Sequence, residues 1–269
     1  MPFSRTRHTC RTLACLALSI ATAMAAGAQQ TPGANVSAAA LHVPAVKQLP
    51  HPLSPETRGD IYMARKMYRE AIDAYREGPA NSAVLANKIG IAFHELLQFN
   101  LAQKYYRRSM KLNPKYPQAV NNLGTIDYGR KKYKKSIKLY KRAIKLYGVH
   151  PPASIYANLG AAYFGRKKYK RAMSAYRDAL KIDPEVFEHH SSFGTLMQER
   201  TIAEQALFHL YLAKLYAKSG DSPHAILYLR KALEEGVKGR KNIPKMPEFA
   251  SLKKNAAFQE LLAENPKPL

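Results

Sequence analysis

The feature that most constrains this chain is an internal duplication. The stretch from Asn122 to Ala143 and the stretch from Asn158 to Ala179 agree at 11 of 22 aligned positions and lie 36 residues apart. Both contain the run Gly-Arg-Lys-Lys-Tyr-Lys, preceded by Asn-Leu-Gly and followed in register by Tyr and Ala. A repeated unit of this size buries its apolar face only by stacking on its neighbours. The duplication therefore predicts an array of similar units.

The spacing of apolar and small residues predicts that each unit is a pair of helices. Large apolar residues recur at helical spacing in both copies, namely Leu123, Ile137, Tyr140 and Ile144, and then Leu159, Met173, Tyr176 and Leu180. Small residues recur where two helices would touch closely, with Gly124, Ser136 and Ala143 matched by Gly160, Ala172 and Ala179. Pro114 and Pro184 close two of the units, because proline ends a helix.

This pattern resembles the tetratricopeptide repeat, whose signature spans about 34 residues. The register extends outward to about five copies over residues 52–239, through Ile89-Gly90 and Tyr106 upstream and Leu212-Ala213 and Leu229 downstream. The resemblance implies an all-α fold, a right-handed superhelical solenoid of antiparallel helix pairs. We expect residues 240–269 to form a linker and capping helices, since the last open face of a solenoid needs a cover.

Three departures from the pattern affect this expectation. Asp127 stands where the family has an aromatic residue, and two residues are inserted around Val149 to Pro152. Residues 187–205 form an extra helical segment between the fourth and fifth copies, with apolar residues typical of half a degenerate repeat, namely Phe193, Leu196, Met197 and Ile202.

The N-terminus has the features of an export signal. Residues 1–28 combine early arginines, an apolar run from Leu13 to Ala26 and a small-residue cleavage site that predicts Gln29 as the mature N-terminus. A transmembrane anchor is the alternative, but the run is short for spanning a bilayer. Both cysteines lie inside this segment, and residues 29–51 are typical of a flexible tether. We expect a periplasmic or secreted protein without a transmembrane segment in the mature chain.

Positive charge is concentrated in the middle of the chain. The formal net charge is +24, and 14 Lys or Arg residues without any Asp or Glu fall between Arg130 and Arg171. Equivalent helix positions predict a basic stripe on the second helices, formed by Arg107, Lys111, Lys134, Lys138, Lys141, Lys145, Arg177 and Lys181. The stripe is either a solvated face that keeps the protein soluble or a surface for anionic lipids and envelope polymers. We do not expect nucleic acid as a partner, because an exported protein meets little of it.

The resemblance also implies a ligand site. In the family, the first helices line a concave groove, and the matching positions here are Asn87, Asn121, Asn122, Thr125, Tyr128, Asn158 and Phe164. Asparagine amides can donate to and accept from an extended peptide backbone, and an aromatic neighbour offers a side-chain pocket. The alternative is that Asn122 and Asn158 cap or bridge neighbouring helices.

No pattern in the sequence points to catalysis. The chain has no phosphate loop, nucleophile elbow or paired carboxylates, and Glu188-His189-His190 with His209 lacks the spacing of a metal site. We therefore expect no enzyme activity, no cofactor and no bound metal. The sequence favours a scaffold or adaptor of the bacterial cell envelope that binds a partner protein of unknown identity in the groove. The alternative is an electrostatic binder of anionic envelope polymers or lipids through the basic stripe.

Overall fold

A computed structural model describes residues 53–188 and 201–264, and all regular secondary structure in these two ranges is helical. The first helices of the pairs are α1 (Pro55–Ala64), α3 (Ala83–Glu95), α5 (Pro117–Gly129), α7 (Ala153–Gly165) and α9 (Ile202–Ser219). Their partners are α2 (Tyr68–Arg76), α4 (Phe99–Leu112), α6 (Tyr133–Tyr147), α8 (Tyr169–Ile182) and α10 (Ser222–Glu234). The predicted signal peptide, tether and most of the extra segment lie outside the described residues.

Packing follows chain order. The closest packing joins the two helices of each pair, and the substantial contacts beyond it join helices of adjacent pairs. The prediction of an all-α array of helix pairs is therefore confirmed.

Local capping residues explain where two of the first helices begin. Ser54 precedes α1, and its hydroxyl accepts a hydrogen bond from the Thr57 backbone N–H at 3.1 Å, with Pro55 at the first helical position. Thr201 precedes α9 in a reciprocal capping box with Glu204. Each cap satisfies backbone donors that have no partner inside the helix.

The turns inside the five pairs share one backbone conformation. A residue with positive φ follows each first helix, namely Lys66, Leu97, Lys131, Lys167 and Gly220. At the third turn, the Lys131 N–H donates to Tyr128 O at 2.7 Å and the Lys132 N–H donates to Asp127 O at 2.8 Å. These bonds satisfy carbonyls at the helix end in the way of a Schellman motif, which normally favours glycine. Four of the five turns place a larger residue there at an energetic cost.

A glycine and a tyrosine set the distance between the helices of the first four pairs. A Cβ atom at Gly160 would lie 2.3 Å from Tyr176 Cε1, and one at Gly124 would lie 2.8 Å from the same atom of Tyr140. Gly59 with Tyr75 and Gly90 with Tyr106 repeat the arrangement, again 16 residues apart. The sequence prediction that Gly124 and Gly160 lie at close helix crossings agrees with this geometry.

Arginines of two second helices bind the connections that lead into their own pairs. The Arg108 guanidinium donates to Ala80 O at 2.7 Å, and 34 positions later Arg142 donates to Pro114 O at 2.9 Å. Inside the second pair, the fully buried Ser109 of α4 donates to Ala83 O of α3 at 2.7 Å. Some of the basic residues of the second helices therefore hold the stack together.

The fifth pair is covered by the C-terminal segment. Two short 3-10 helices, Arg240–Lys245 and Pro247–Leu252, precede α11 (Ala256–Glu264). Phe249 and Phe258 are buried with their ring centroids 5.8 Å apart, and Leu252 and Leu261 are buried beside them. Arg230 of α10 binds Glu264 at 2.8 Å.

Candidate functional site

Four of the predicted ligand residues form a hydrogen-bonded chain of amides across three first helices. The Asn122 side-chain N–H of α5 donates to Asn87 Oδ1 of α3 at 3.1 Å, and Asn121 donates to Asn122 Oδ1 at 3.2 Å. Asn158 of α7 then donates to Asn121 Oδ1 at 3.4 Å. We call these four residues the asparagine ladder. The ladder bridges neighbouring helices, which is the structural alternative that the sequence left open.

The ladder residues differ in exposure. Asn87 and Asn158 are buried, whereas Asn121 and Asn122 are half-buried and reach solvent. Within the described residues, Asn158 Oδ1 is buried and accepts no hydrogen bond. Each side-chain amide carries two donor hydrogens and an acceptor oxygen, so the single bond that each of Asn121 and Asn122 donates leaves it a hydrogen for a ligand.

The other three predicted ligand residues are buried in protein contacts. Thr125 donates to Asn121 O at 3.4 Å and accepts from the Tyr140 hydroxyl at 3.3 Å. The Tyr128 ring packs against Tyr133 at 5.4 Å between centroids. Phe164 is 5% exposed and is surrounded by the rings of Tyr169, Phe208 and Tyr211. A ligand contact by Thr125, Tyr128 or Phe164 stays a prediction. The candidate site consists of the half-exposed amides of Asn121 and Asn122.

Lys88, at the α1 end of the first helices, is neutralised by ion pairs with two carboxylates. Lys88 Nζ lies 2.8 Å from Glu56 Oε1 and 2.6 Å from Asp60 Oδ2. Burial alone would raise the pKa of Asp60, but hydrogen bonds from Lys88 and Tyr75 outweigh it and hold that pKa below its usual value. Burial lowers the pKa of His94, whose Nδ1 lies 3.5 Å from the Tyr106 hydroxyl. This end of the face therefore presents few unpaired charges.

The eight residues of the basic stripe are all exposed. On α6, Lys134, Lys138, Lys141 and Lys145 share one exposed face, on the side opposite the buried Ser136 and Ala143. No ion pair joins a stripe residue to a carboxylate in the described ranges. The stripe is therefore an uncompensated positive surface.

Two arginines of the same basic region have structural partners instead. Arg130 donates to Asn100 Oδ1 at 2.6 Å and to Gln103 Oε1 at 2.9 Å, which joins the third turn to α4 of the second pair. Arg142 binds a backbone carbonyl, as described above. The charge count along the sequence thus overstates the number of cations that are free to bind a ligand.

Residues 53–188 and 201–264 contain no group of three or more His, Cys, Asp or Glu side chains placed to hold a metal ion. His209 Nδ1 lies 2.6 Å from Glu235 Oε2, while His189 and His190 fall outside the described part of the chain. No helix in the described part is long and apolar enough to cross a membrane.

A protein-family model matches the middle of the chain. Residues 117–185, which contain the third and fourth helix pairs, match the model described as tetratricopeptide repeat. These two helix pairs are tetratricopeptide repeats. Such repeats bind protein partners, so the coarse function is that of a protein-interaction scaffold. A comparison of the sequence with curated proteins finds no match.

Three solved structures are similar to parts of this chain. The structure titled APC/C hetero-tetramer Cut9-Hcn1 has a TM-score of 0.50 at 18% identity, over 79% of this chain and 36% of that chain. MamA from Desulfovibrio magneticus RS-1 has a TM-score of 0.46 at 19% identity, over 67% of this chain and 92% of that chain. The Sgt2 TPR domain from Aspergillus fumigatus has a TM-score of 0.41 at 22% identity, over 44% of this chain and 80% of that chain.

The structure also shows exposed apolar residues outside the predicted sites. Leu97 is 67% exposed at the turn of the second pair, and Phe99 is 38% exposed two residues later. The signal that could have found them is the repeat register, because Leu97 aligns with Lys66, Lys131 and Lys167, the positive-φ residues of the neighbouring turns. The Phe99 ring packs edge-on against His94 with ring centroids 5.4 Å apart, whereas most of the Leu97 side chain is in solvent.

Proposed function

We propose that this repeat protein is a non-enzymatic adaptor of the bacterial cell envelope that holds an extended segment or helix of a partner protein along the first helices. The asparagine ladder carries the proposal. It places two half-exposed amides, Asn121 and Asn122, on the face that the resemblance assigns to the ligand groove. An amide that is fixed by one hydrogen bond meets a partner backbone without losing rotamer entropy at that moment.

Site-specific crosslinking tests this surface while leaving the ladder intact. Gln118 is exposed on α5, one helical turn before Asn121 and Asn122 and on the same side of the helix. A photo-crosslinking amino acid at Gln118 should capture the partner from an envelope extract at both low and high salt. Lys138 on the basic stripe is the matched control position. Capture from Lys138 alone, lost at high salt, would refute the ladder as the binding surface.

A second candidate surface is the basic stripe. Its support is that eight exposed cations have no carboxylate partner in the described ranges. Replacing Lys134, Lys138, Lys141 and Lys145 by glutamine keeps good helix formers on an exposed face and should leave the fold intact. If the stripe binds an anionic polymer, this variant should bind more weakly and with less dependence on salt.

Location in the envelope rests on the export signal predicted from residues 1–28. N-terminal sequencing of the protein recovered from the envelope fraction should begin at Gln29. A cytoplasmic protein that retains Met1 would contradict the envelope part of the proposal and leave the ladder experiment unaffected.

A further inference from the structure

One edge of the array is formed by the turns that join the two helices of each pair. Antiparallel pairs place all of these turns at one end and the connections between pairs at the other. We define the turn edge by the positive-φ residues of the first four turns, Lys66, Leu97, Lys131 and Lys167, together with the residues next to them. The backbone of these turns is alike, so side chains at equivalent positions project alike.

Contacts between neighbouring turns make part of this edge continuous. Arg130 of the third turn binds Asn100 and Gln103 beside the second turn, and a shallow cleft of about 410 Å³ there is lined by Leu97, Phe99 and Arg130 among others. The Tyr133 ring lies against Gly165 just before the fourth turn, where a Cβ atom would be 2.7 Å from Tyr133 Cζ. The second, third and fourth turns therefore form one surface.

Packing accounts for only some residues of the duplicated run Gly-Arg-Lys-Lys-Tyr-Lys. The glycine at 165 leaves room for Tyr133, and Tyr169 stacks on Tyr211 with ring centroids 5.5 Å apart. Arg130 has the amide partners described above. The lysine pairs of the two turns are all exposed, and none takes part in an ion pair with a described carboxylate. These pairs are Lys131 with Lys132 and Lys167 with Lys168.

The backbone conformation of the turns is a second observation, beside the exposure of the lysine pairs, that favours a functional role for these side chains. A positive φ costs roughly 1–2 kcal/mol for a residue with a Cβ, and Gly or Asn avoids most of this cost. The fifth turn uses Gly220, whereas Lys66, Leu97, Lys131 and Lys167 accept the strain. Strain that is held at an exposed position motivates a functional hypothesis for that position.

Charge and exposed apolar surface alternate along this edge. The first turn presents Arg65 and Lys66 with Met67, which is 37% exposed, and the second presents Leu97 and Phe99, 67% and 38% exposed. The third and fourth turns present the lysine pairs. A cluster of apolar side chains flanked on both sides by cations is the arrangement that binds a lipid surface, with apolar groups in the headgroup layer and lysines on anionic headgroups.

We infer that the turn edge docks the protein on a bilayer containing anionic phospholipids. The surface is distinct from the asparagine ladder, so a partner protein and a membrane can be held at the same time. The tyrosines of the motif favour lipid over nucleic acid as the occupant. Tyr133 and Tyr169 are half-buried against Gly165 and Tyr211, so they are not free to stack on bases.

The absence of tryptophan from the sequence provides a direct assay. Leu97→Trp places a single indole on the turn edge, and Val149→Trp, at a position 86% exposed in a connection between pairs, places one at the opposite edge. Vesicles of phosphatidylcholine with phosphatidylglycerol should shift the emission of the first variant to the blue, and brominated lipids should quench it. The emission of the second variant should not change. Equal responses of the two variants, or no response of the first, would overturn the inference.

A charge variant and a matched control test the lysine pairs. Changing Lys131, Lys132, Lys167 and Lys168 to glutamine should weaken vesicle binding by about 100-fold or more at low salt, since each lysine near an anionic surface contributes about fivefold. Changing Lys238, Lys241, Lys245 and Lys253 removes the same charge from exposed C-terminal positions and should alter binding by less than about threefold. Equal losses would show attraction by net charge alone and overturn the assignment.

Two further measurements decide the occupant and the apolar part. Leu97→Ser should weaken vesicle binding by about tenfold, which corresponds to removing a partly inserted leucine. Pure phosphatidylcholine vesicles should bind poorly. Retention of a single-stranded oligonucleotide through the same four lysines, without any vesicle binding, would replace lipid by nucleic acid and refute the inference. Crosslinking from Gln118 should be unaffected in every variant, which separates this test from that of the proposed function.

Discussion

Replacing Gly160 by alanine should destabilise the fourth helix pair through one contact. The new Cβ would lie 2.3 Å from Tyr176 Cε1 and 2.4 Å from Cδ1. Ordinary carbon contacts are at about 3.5–4.0 Å, so the ring would have to move by more than about 1 Å. Tyr176 is fully buried, with Phe187 and Phe208 at 5.5 and 5.4 Å between ring centroids, which leaves the ring little space.

The net magnitude follows from two opposing effects. Overpacking of a core costs about 1–3 kcal/mol, and this contact is at the severe end of that range. Alanine in place of glycine inside a helix returns about 1 kcal/mol. We expect Gly160→Ala to lower the free energy of unfolding by about 2 kcal/mol. Gly124→Ala should cost less, because its Cβ would lie 2.8 Å from Tyr140 Cε1.

Urea denaturation followed by far-UV circular dichroism measures this effect. The fifth pair suggests the rescue, since Ala213 and Leu229 occupy the places of the glycine and tyrosine there and both are fully buried. Tyr176→Leu should therefore cost less in the presence of Gly160→Ala than alone, giving a favourable coupling in a double-mutant cycle. An unchanged midpoint for Gly160→Ala, or no coupling with Tyr176→Leu, would refute the proposed contact.

Three other experiments, with four substitutions in all, test separate parts of the structure. Asn122→Ala removes two hydrogen bonds of the ladder and should lower the free energy of unfolding, measured by urea denaturation, by about 1–2 kcal/mol. Asn158→Ala removes one long hydrogen bond together with an unpaired oxygen, so it should lower the free energy of unfolding by less than about 1 kcal/mol. Because folding holds the pKa of Asp60 below its ordinary value of 3.8, the resulting stability is present above that value and is lost as the pH falls through the lowered pKa. Lys88→Met should reduce this loss, and melting curves recorded from neutral pH to about pH 3 would contradict the idea if parent and variant lost stability equally. Leu97→Asn should raise the melting temperature by relieving backbone strain while weakening vesicle binding; a lower melting temperature would show that Leu97 stabilises the fold.

The fold could be predicted from the sequence because the duplicated stretches carry their own alignment. Once Gly124 and Gly160 were in register, the equivalent positions Gly90 and Gly59 followed, and the structure places a tyrosine ring on each of the four. The turns could not be predicted in the same way. Lys66, Leu97, Lys131 and Lys167 give no sign of a positive φ, because the helix-end hydrogen bonds impose a conformation that these residue types do not favour on their own.

The candidate site could be predicted only as a set of positions. Helical spacing placed Asn87, Asn122 and Asn158 on one side of the first helices. The hydrogen bonds between their amides, however, depend on differences of a few tenths of an ångström in the distance between neighbouring helices, and periodicity does not encode such differences. Burial also divides the predicted ligand residues into covered and accessible ones. Phe164 resembles a groove aromatic in the repeat pattern, yet the long α9 brings Phe208 and Tyr211 against its ring. The side chains available to a ligand thus depend on what each neighbouring pair covers.

Packing in chain order, with each pair resting mainly on the pairs beside it, determines how this protein would respond to mechanical tension. Each spacing residue pair, such as Gly160 and Tyr176, lies inside one hairpin and spans 16 positions, so a pull on the two ends of the chain loads the hairpins in series. Hairpins at the ends would detach first, each lengthening the chain by about 34 residues, or roughly 110–120 Å. An adaptor fixed between a membrane and a partner would therefore yield in steps and could refold one hairpin at a time against the part that remains.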